Sequence, residues 1–241
     1  MSGKTVVKNE NGLVSRLLPA VCPLCRINAA PDAIPFCDSC LNLLQTLITE
    51  KCPRCGRAAC ACTCARPENS RALFFYGSGV SRRIIYYLKD GADKRAAAFL
   101  AELLLVSAGI TVKRADAVTF VPRSKKRVRK SGYDQARMIA AEAARILGLP
   151  LVAALRRRGK GEQKLLGRKQ RLEHALKQYE TDPEVPEALR GKRYLLFDDV
   201  TTTGATVSAC AKLLRESGIA QAVTVLTLSV TDLKTADGGT K

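Results

Sequence analysis

Apolar residues along this chain follow two rhythms. Short, predominantly apolar runs bounded by polar or turn-forming residues read as buried strands: Ala72–Tyr76 (ALFFY), Ala117–Val121 (AVTFV), Leu151–Leu155, Tyr194–Asp198 (YLLFD) and Ala222–Val230. Longer stretches repeat apolar residues every three or four positions and read as helices. They are a helix start at Ser81–Leu88, the Ala- and Leu-rich Lys94–Ser107, Asp134–Leu147 stopped by Gly148, and Ala205–Ser217 closed by Gly218. Strand alternating with helix predicts an α/β fold, a doubly wound and mainly parallel sheet with helical crossovers. Two stretches carry neither rhythm. Arg156–Arg171 is basic and Gly-containing, and Tyr179–Gly191 holds Pro183 and Pro186 and reads as a connection.

The segment ahead of these elements is of another kind. The chain has 10 cysteines, and all but Cys210 lie at or before Cys64. The expected division is a flexible N-terminus over 1–12, a cysteine-rich module over 13–70, a main domain over 71–231 and a disordered tail over 232–241. Leu13–Val21 is apolar, but it is short and is interrupted by Arg16 and Pro19, so it does not read as a secretory signal. No apolar run is long enough to span a bilayer. A cytoplasmic protein with no membrane insertion is expected, and in that compartment paired cysteines point to metal rather than to disulfides.

The spacing supports metal. Cys22-Pro-Leu-Cys25 and Cys37-Asp-Ser-Cys40 are two CxxC knuckles, each able to place two thiolates on one side of a turn, and together they supply four sulfurs for one structural zinc. Leu41–Ile48 fits a helix growing out of the second knuckle. Cys52-Pro-Arg-Cys55 needs two more ligands for a second zinc, and the spacing does not choose among Cys60, Cys62 and Cys64. A closed four-sulfur site has no open position for substrate, so no catalytic role is assigned to it.

Charge adds a third feature. The formal net charge is +18, with 40 Lys and Arg against 22 Asp and Glu. From Lys113 to Arg171 there are 18 Lys and Arg against 4 Asp and Glu, a net of +14 in about a quarter of the chain. Cations gathered in one region face anions, and the phosphates of a small ligand and of a nucleic acid both qualify.

The segment Arg193–Thr206 (RYLLFDDVTTTGAT) carries the chemistry. A buried strand delivers Asp198 and Asp199 at its C-terminal end, a loop of Thr201, Thr202, Thr203 and Gly204 follows, and a helix starts near Ala205. In an open parallel sheet, ligands bind where strands end and helices begin. Loop N–H groups, threonine hydroxyls and a helix N-terminus suit a phosphate. Paired carboxylates suit sugar hydroxyls and hydrated Mg²⁺.

FDDVTTTGAT resembles the phosphoribosyl pyrophosphate (PRPP) signature of type I phosphoribosyltransferases. Val121–Gln135 (VPRSKKRVRKSGYDQ) is similar to the Val-Pro…Arg…Arg-Gly-Phe-Asn-Gln stretch of the ComF family, and Gln163, Leu166, Arg168 and Arg171 resemble that family's later Gln-x-x-Leu-x-Arg-x-x-Arg stretch. With the cysteine module in front, the ComF resemblance runs from Cys22 to Val230. It implies a phosphoribosyltransferase, a pentosyl-transferring enzyme that displaces pyrophosphate, with structural zinc and with Mg²⁺ bound alongside PRPP. Carried over, Asp198 and Asp199 hold the ribose hydroxyls and Mg²⁺. Thr201, Thr202, Thr203, Gly204, Ala205 and Thr206 cradle the 5′-phosphate. Arg123 lies beside the pyrophosphate, and Arg156–Arg171 closes over the ligand, with Arg168 and Arg171 as further phosphate partners. The resemblance also implies a place in DNA uptake and natural transformation. Expected partners are single-stranded DNA on the basic region 113–171 and competence proteins such as a helicase or a DNA-processing factor. A non-catalytic DNA-handling factor built on the same scaffold is the alternative. The chain departs from the family pattern at Asp134, where the family has Asn.

Overall fold

A computed structural model of the chain describes residues 21–22, 24–27, 34–52, 57–62, 69–77, 79–90, 94–109, 114–158 and 168–231. The expectations for 1–12 and 232–241 lie outside the described residues, as do Cys55 and Cys64. In chain order the elements are α1 (Asp38–Thr49), β1 (Ser70–Tyr76), α2 (Gly79–Asp90), α3 (Lys94–Ala108), β2 (Ala117–Phe120), α4 (Lys125–Ser131), α5 (Gln135–Leu147), β3 (Leu155–Arg157), α6 (Arg168–Gln178), β4 (Tyr179–Thr181), a 3₁₀ turn (Glu187–Leu189), β5 (Lys192–Thr201), α7 (Ala205–Glu216) and β6 (Ala220–Thr231).

Four strands form one sheet in the order β1-β6-β5-β2, and every pairing in it is parallel. The sequence pattern explains why both faces are covered. Along Tyr194–Phe197 of β5 consecutive residues are apolar, and β6 carries apolar residues of both parities, so alternate side chains feed two separate cores. Tyr194, Leu196, Val223 and Val225 face one way, against Val207, Cys210, Ala211 and Leu214 of α7. Leu195, Phe197, Leu226 and Leu228 face the other, against α3 and α5. The doubly wound reading is therefore correct. The run Leu151–Leu155 departs from it: Leu151 makes only a single bridge to Val118, and the chain then leaves the main sheet. Leu155–Arg157 pairs antiparallel with Tyr179–Thr181 as a separate two-stranded ribbon. The two stretches without apolar rhythm thus hold β3, the start of α6, β4 and the 3₁₀ turn.

The larger core does not stop at the sheet. Cys22, Phe36, Cys37, Cys40, Leu44 and Leu47 belong to the same buried cluster as Leu73, Ile84, Leu100, Leu104 and Phe197. Phe36 sets its ring edge-on to Phe99, with centroids 5.6 Å apart and planes at 76°. The cysteine segment and the sheet domain share one interior.

At the opposite end of the sheet from the Asp-Asp loop, Arg193 grips Asp116 with both guanidinium arms (2.8 and 2.8 Å) and donates its backbone N–H to the same carboxylate (2.9 Å). The Arg193 side chain, then its backbone N–H, hold the Asp116 carboxyl well below the usual carboxylate range. A depressed folded-state pKa lends stability above the unfolded value, about 3.9, and that stability is lost as pH falls through the folded value. Asp116→Asn should therefore lower the melting temperature at pH 6 to 7 and converge on the wild type in strong acid. Thermal melts across pH 2 to 7 check this, and parallel curves would contradict it.

Candidate functional site

β5 delivers its acids as expected. Phe197 is fully buried, and the strand then turns polar at Asp198 and Asp199. The loop is bound to itself: Asp199 donates its N–H to Asp198 Oδ1 (2.9 Å), and Val200 donates to Asp199 Oδ1 (2.8 Å). Gly204 precedes α7 with φ +76°, a conformation that a side chain would strain, and no side chain caps the helix there. The first-turn N–H groups of α7 are left facing a pocket lined by Asp198, Val200, Thr201, Thr202, Gly204, Ala205, Thr206 and Val207. Thr201 is buried, and its hydroxyl has no hydrogen-bond partner. An uncapped helix start, a left-handed glycine and a hydroxyl in need of a partner form a receptor for an anion.

A third carboxylate joins the pair. Asp134 accepts the Arg123 N–H (2.8 Å) and the Arg137 N–H (3.3 Å), so it both holds the loop after β2 and caps α5. Desolvation raises Asp134, and the charge of Asp199 adds to that. Asp198 is pushed far up, first by desolvation, then by Asp199, with Asp134 a further contributor. Three carboxyl groups gathered at one strand end, two of them raised by burial and by the neighbouring acids, form a site that attracts a cation. The structure thus brings together Asp198, Asp199, Thr201, Thr202, Gly204, Ala205 and Thr206, with Thr203 in the same loop and Arg123 on the loop tied to Asp134. Arg168 and Arg171 fall at the start of α6, and their side chains lie outside the described residues.

Two buried residues outside the pocket lining lie close enough to Asp198 to feel its charge. Tyr179, buried on β4, and Cys210, buried in α7, both feel the Asp198 charge, and burial is the largest reason that each is raised. Arg157 of β3 lies over the Tyr179 ring at 5.5 Å and reaches Gln178 Oε1 at 3.3 Å. The β3–β4 ribbon therefore forms a wall beside the acids. No sequence signal marks it, because the pairing is brief and its two strands are separated by α6.

The cysteine site is also assembled. The sulfurs of Cys22, Cys25, Cys37 and Cys40 all lie within 4.8 Å of one another, and Cys25 and Cys37 are 3.7 Å apart. Four sulfurs at about 2.3 Å from one zinc are about 3.8 Å apart, so this set fits a tetrahedral metal. The Arg26 N–H returns to Cys22 O (2.8 Å) and the Leu41 N–H to Cys37 O (2.9 Å), which closes the two knuckles. Burial, then thiol hydrogen bonds from Cys22 and Cys37, push the Cys40 thiol up. Among the described residues of the later cysteines, Cys52 and Cys62 are buried against Ala59, Ala72, Phe75 and Val230, and Cys60 is half-buried. Cys52 donates its N–H to Arg57 O (2.8 Å), beside an antiparallel bridge between Lys51 and Ala58.

No protein-family model matches the chain. It is 29% identical over 224 residues to DNA utilization protein YhgH of Escherichia coli K12, covering 84% of this chain and 94% of that protein. It is 26% identical over 206 residues to competence protein ComFC of Bacillus subtilis, covering 80% and 82%. ComFC of Streptococcus pneumoniae is 27% identical over 198 residues, covering 76% and 82%. Among solved structures, an adenine phosphoribosyltransferase from Thermoanaerobacter pseudethanolicus overlaps 66% of this chain and 81% of its own, at 22% identity and a TM-score of 0.37. An orotate phosphoribosyltransferase from Aeropyrum pernix overlaps 64% and 77%, at 20% identity and a TM-score of 0.35. The ComF resemblance read from the sequence is borne out by these relatives. Among the described residues no helix is long and apolar enough to cross a membrane.

Proposed function

We propose, with the ComF resemblance as premise, that this chain binds PRPP with Mg²⁺ at the C-terminal end of β5 and transfers its phosphoribosyl group in a process tied to DNA uptake. The observation that carries this reading is the juxtaposition of the Asp198–Asp199 pair with the uncapped start of α7 at Gly204. Thr201, Thr202, Thr203, Gly204, Ala205 and Thr206 take the 5′-phosphate through N–H and hydroxyl donors. Asp198 and Asp199 would accept from the ribose hydroxyls and would hold Mg²⁺, which when bound would supply charge neutralisation to the leaving pyrophosphate.

In the reaction the bond from ribose C1 to the pyrophosphate oxygen breaks. An acceptor nucleophile bonds to C1 and gives up its proton. Arg123 lies on the side where leaving-group charge develops, and Arg168 and Arg171 approach from α6. The first zinc is structural, held by Cys22, Cys25, Cys37 and Cys40; a second is held by Cys52 and Cys55 with two of Cys60, Cys62 and Cys64. The protein works in the cytoplasm.

Calorimetric titration of PRPP with and without Mg²⁺ tests the reading, using the wild type and Asp198→Asn/Asp199→Asn. Binding by the wild type that requires Mg²⁺ and is lost in the double variant is expected. A folded, zinc-loaded wild type that binds no PRPP would overturn the reading. The second reading, a non-catalytic handler of single-stranded DNA, would then lead. It is favoured by the unneutralised cations around α4 and by the names of the relatives.

A further inference from the structure

Two neighbouring strands turn polar at the same row of the sheet. β5 and β6 run parallel, with Tyr194 beside Val223, Leu196 beside Val225 and Asp198 beside Thr227. Side chains at paired positions share a face, and every second residue along a strand returns to it. Tyr194, Leu196, Val223 and Val225 pack on that face against α7. One row further along, an acid stands beside a hydroxyl, and the row after that sets Val200 beside Ser229. On the other side of Thr227 lies Ala72 of β1, which offers no polar side-chain atom.

Thr227 is 1% exposed and Ser229 is fully buried, and neither hydroxyl has a hydrogen-bond partner. A hydroxyl buried in this way has given up water without replacement, so an apolar residue would suit the fold better. β6 fills its other buried positions with apolar residues, among them Val223, Val225, Leu226, Leu228 and Val230. Asp198 has the complementary need. Its Oδ1 accepts the Asp199 N–H (2.9 Å), and an ionised carboxylate has room for about four donors. Paired strands lie about 4.8 Å apart, so rotation of one side chain is enough to bring Thr227 Oγ1 and the Asp198 carboxylate into hydrogen-bond range.

We infer that Thr227 is a positioning residue for the site at the end of β5: in the ligand-bound protein its hydroxyl donates to the Asp198 carboxylate and fixes the orientation in which that acid accepts the ribose hydroxyls. The unbonded hydroxyl slightly destabilises the free protein, and its hydrogen bond strengthens the complex. Ser229 is the internal comparison. It is as deeply buried and as free of partners, but its neighbour on β5 is Val200, which has no carboxylate to orient. The role of Thr227 rests on the PRPP reading of the Asp198–Asp199 loop.

The test is calorimetric titration of PRPP with Mg²⁺ into the zinc-loaded wild type, Thr227→Val, Thr227→Ser and Ser229→Ala, with a melting curve of each protein free of PRPP. Val has nearly the shape of Thr and lacks only the hydroxyl. Losing a hydrogen bond to a charged group should raise Kd about 10- to 100-fold in Thr227→Val. The melting temperature of the same variant should hold, or rise by up to about 4 °C, because no bonded partner is lost. Thr227→Ser keeps the hydroxyl and should bind within about threefold of the wild type. Ser229→Ala should bind as the wild type does. A Thr227→Val protein with unchanged Kd overturns the inference. A Thr227→Val protein whose melting temperature falls along with its affinity also overturns it, since packing would then be the role. So does a loss in Ser229→Ala equal to that in Thr227→Val, which would mean that β6 acts as a strand and not through Asp198. A wild type that binds no PRPP sinks the reading of the loop, and the role of Thr227 with it; a wild type that binds while every variant matches it sinks the role of Thr227 alone.

Discussion

Stripping the metal from Cys22, Cys25, Cys37 and Cys40 should lower the melting temperature of the whole chain, not merely loosen its N-terminal part. The reason is the shared interior. Three of the four ligands are buried in the cluster that also holds Leu73, Leu100, Leu104 and Phe197, and Phe36 reaches across to Phe99. The described segments 22, 24–27 and 34–37 have no helix or strand of their own, so the sulfur cluster is what fixes them against α1. Four thiols without a metal leave buried, weakly bonded sulfur in place of coordination bonds. Structural zinc in small domains contributes about 10 kcal/mol or more, comparable to the whole stability of a typical domain. Recovering even half of that coupling predicts a fall of about 10 to 20 °C for a chain of this size. Differential scanning calorimetry before and after chelation, and on Cys37→Ser/Cys40→Ser, measures it. Phe36→Ala, which leaves every ligand in place, should cost about 3 to 5 kcal/mol by the same route. A main transition that stays put after metal loss would show that the cysteine segment folds apart from the sheet.

What the sequence made legible follows from where the free energy is local. β5 carries the unbroken apolar run Tyr194–Phe197, and β6 is a β-branched and Leu-rich run broken only by Thr and Ser after Ala222, because both faces of the sheet are covered, and such runs stand out from a single chain. The loop from Asp198 to Thr206 was legible because a strand, a glycine and a helix start follow one another without a gap. The cysteine knuckles were legible through spacing alone. α4 was not, since its helix is made by caps rather than by apolar period, and a run of Lys and Arg reads as loop. The β3–β4 ribbon was hidden for a different reason. Its strands are three residues each and lie on either side of α6, so the pairing is a long-range fact with no local trace. Leu151–Leu155 shows the opposite error: an apolar run adjacent to β2 that makes a single ladder bridge to it, at Leu151, and then departs. Asp134 stood out in the sequence only as a departure from the family pattern. Its role as clasp of the Arg123 loop needed the fold, because the two residues are brought together by the α4 excursion.

Asp198→Asn should stabilise the ligand-free protein while abolishing its response to ligand. The carboxyl is raised by desolvation and by its neighbours Asp199 and Asp134. A folded-state pKa above the unfolded value means that the folded protein holds the proton more tightly. Its stabilising share is complete below the unfolded carboxyl range and is lost as pH rises through the folded value, so near neutrality this carboxylate works against the fold. An isosteric amide removes that charge without opening a cavity, and the melting temperature of the zinc-loaded protein in Mg²⁺-free buffer at pH 7 should rise. Mg²⁺ with PRPP reverses the ranking in the wild type, because cation and ribose hydroxyls then satisfy the ionised acids. At a hundredfold excess over Kd the ligand should add about 2.7 kcal/mol, or roughly 5 to 10 °C, to the wild type and nothing to the variant. The two melting curves should therefore cross on addition of ligand. A variant less stable than the wild type in Mg²⁺-free buffer would mean that Asp198 is held by partners in the folded loop rather than strained by its neighbours. A variant that still gains several degrees from PRPP would move the ribose and Mg²⁺ contacts away from this strand end, onto Asp199 and Asp134.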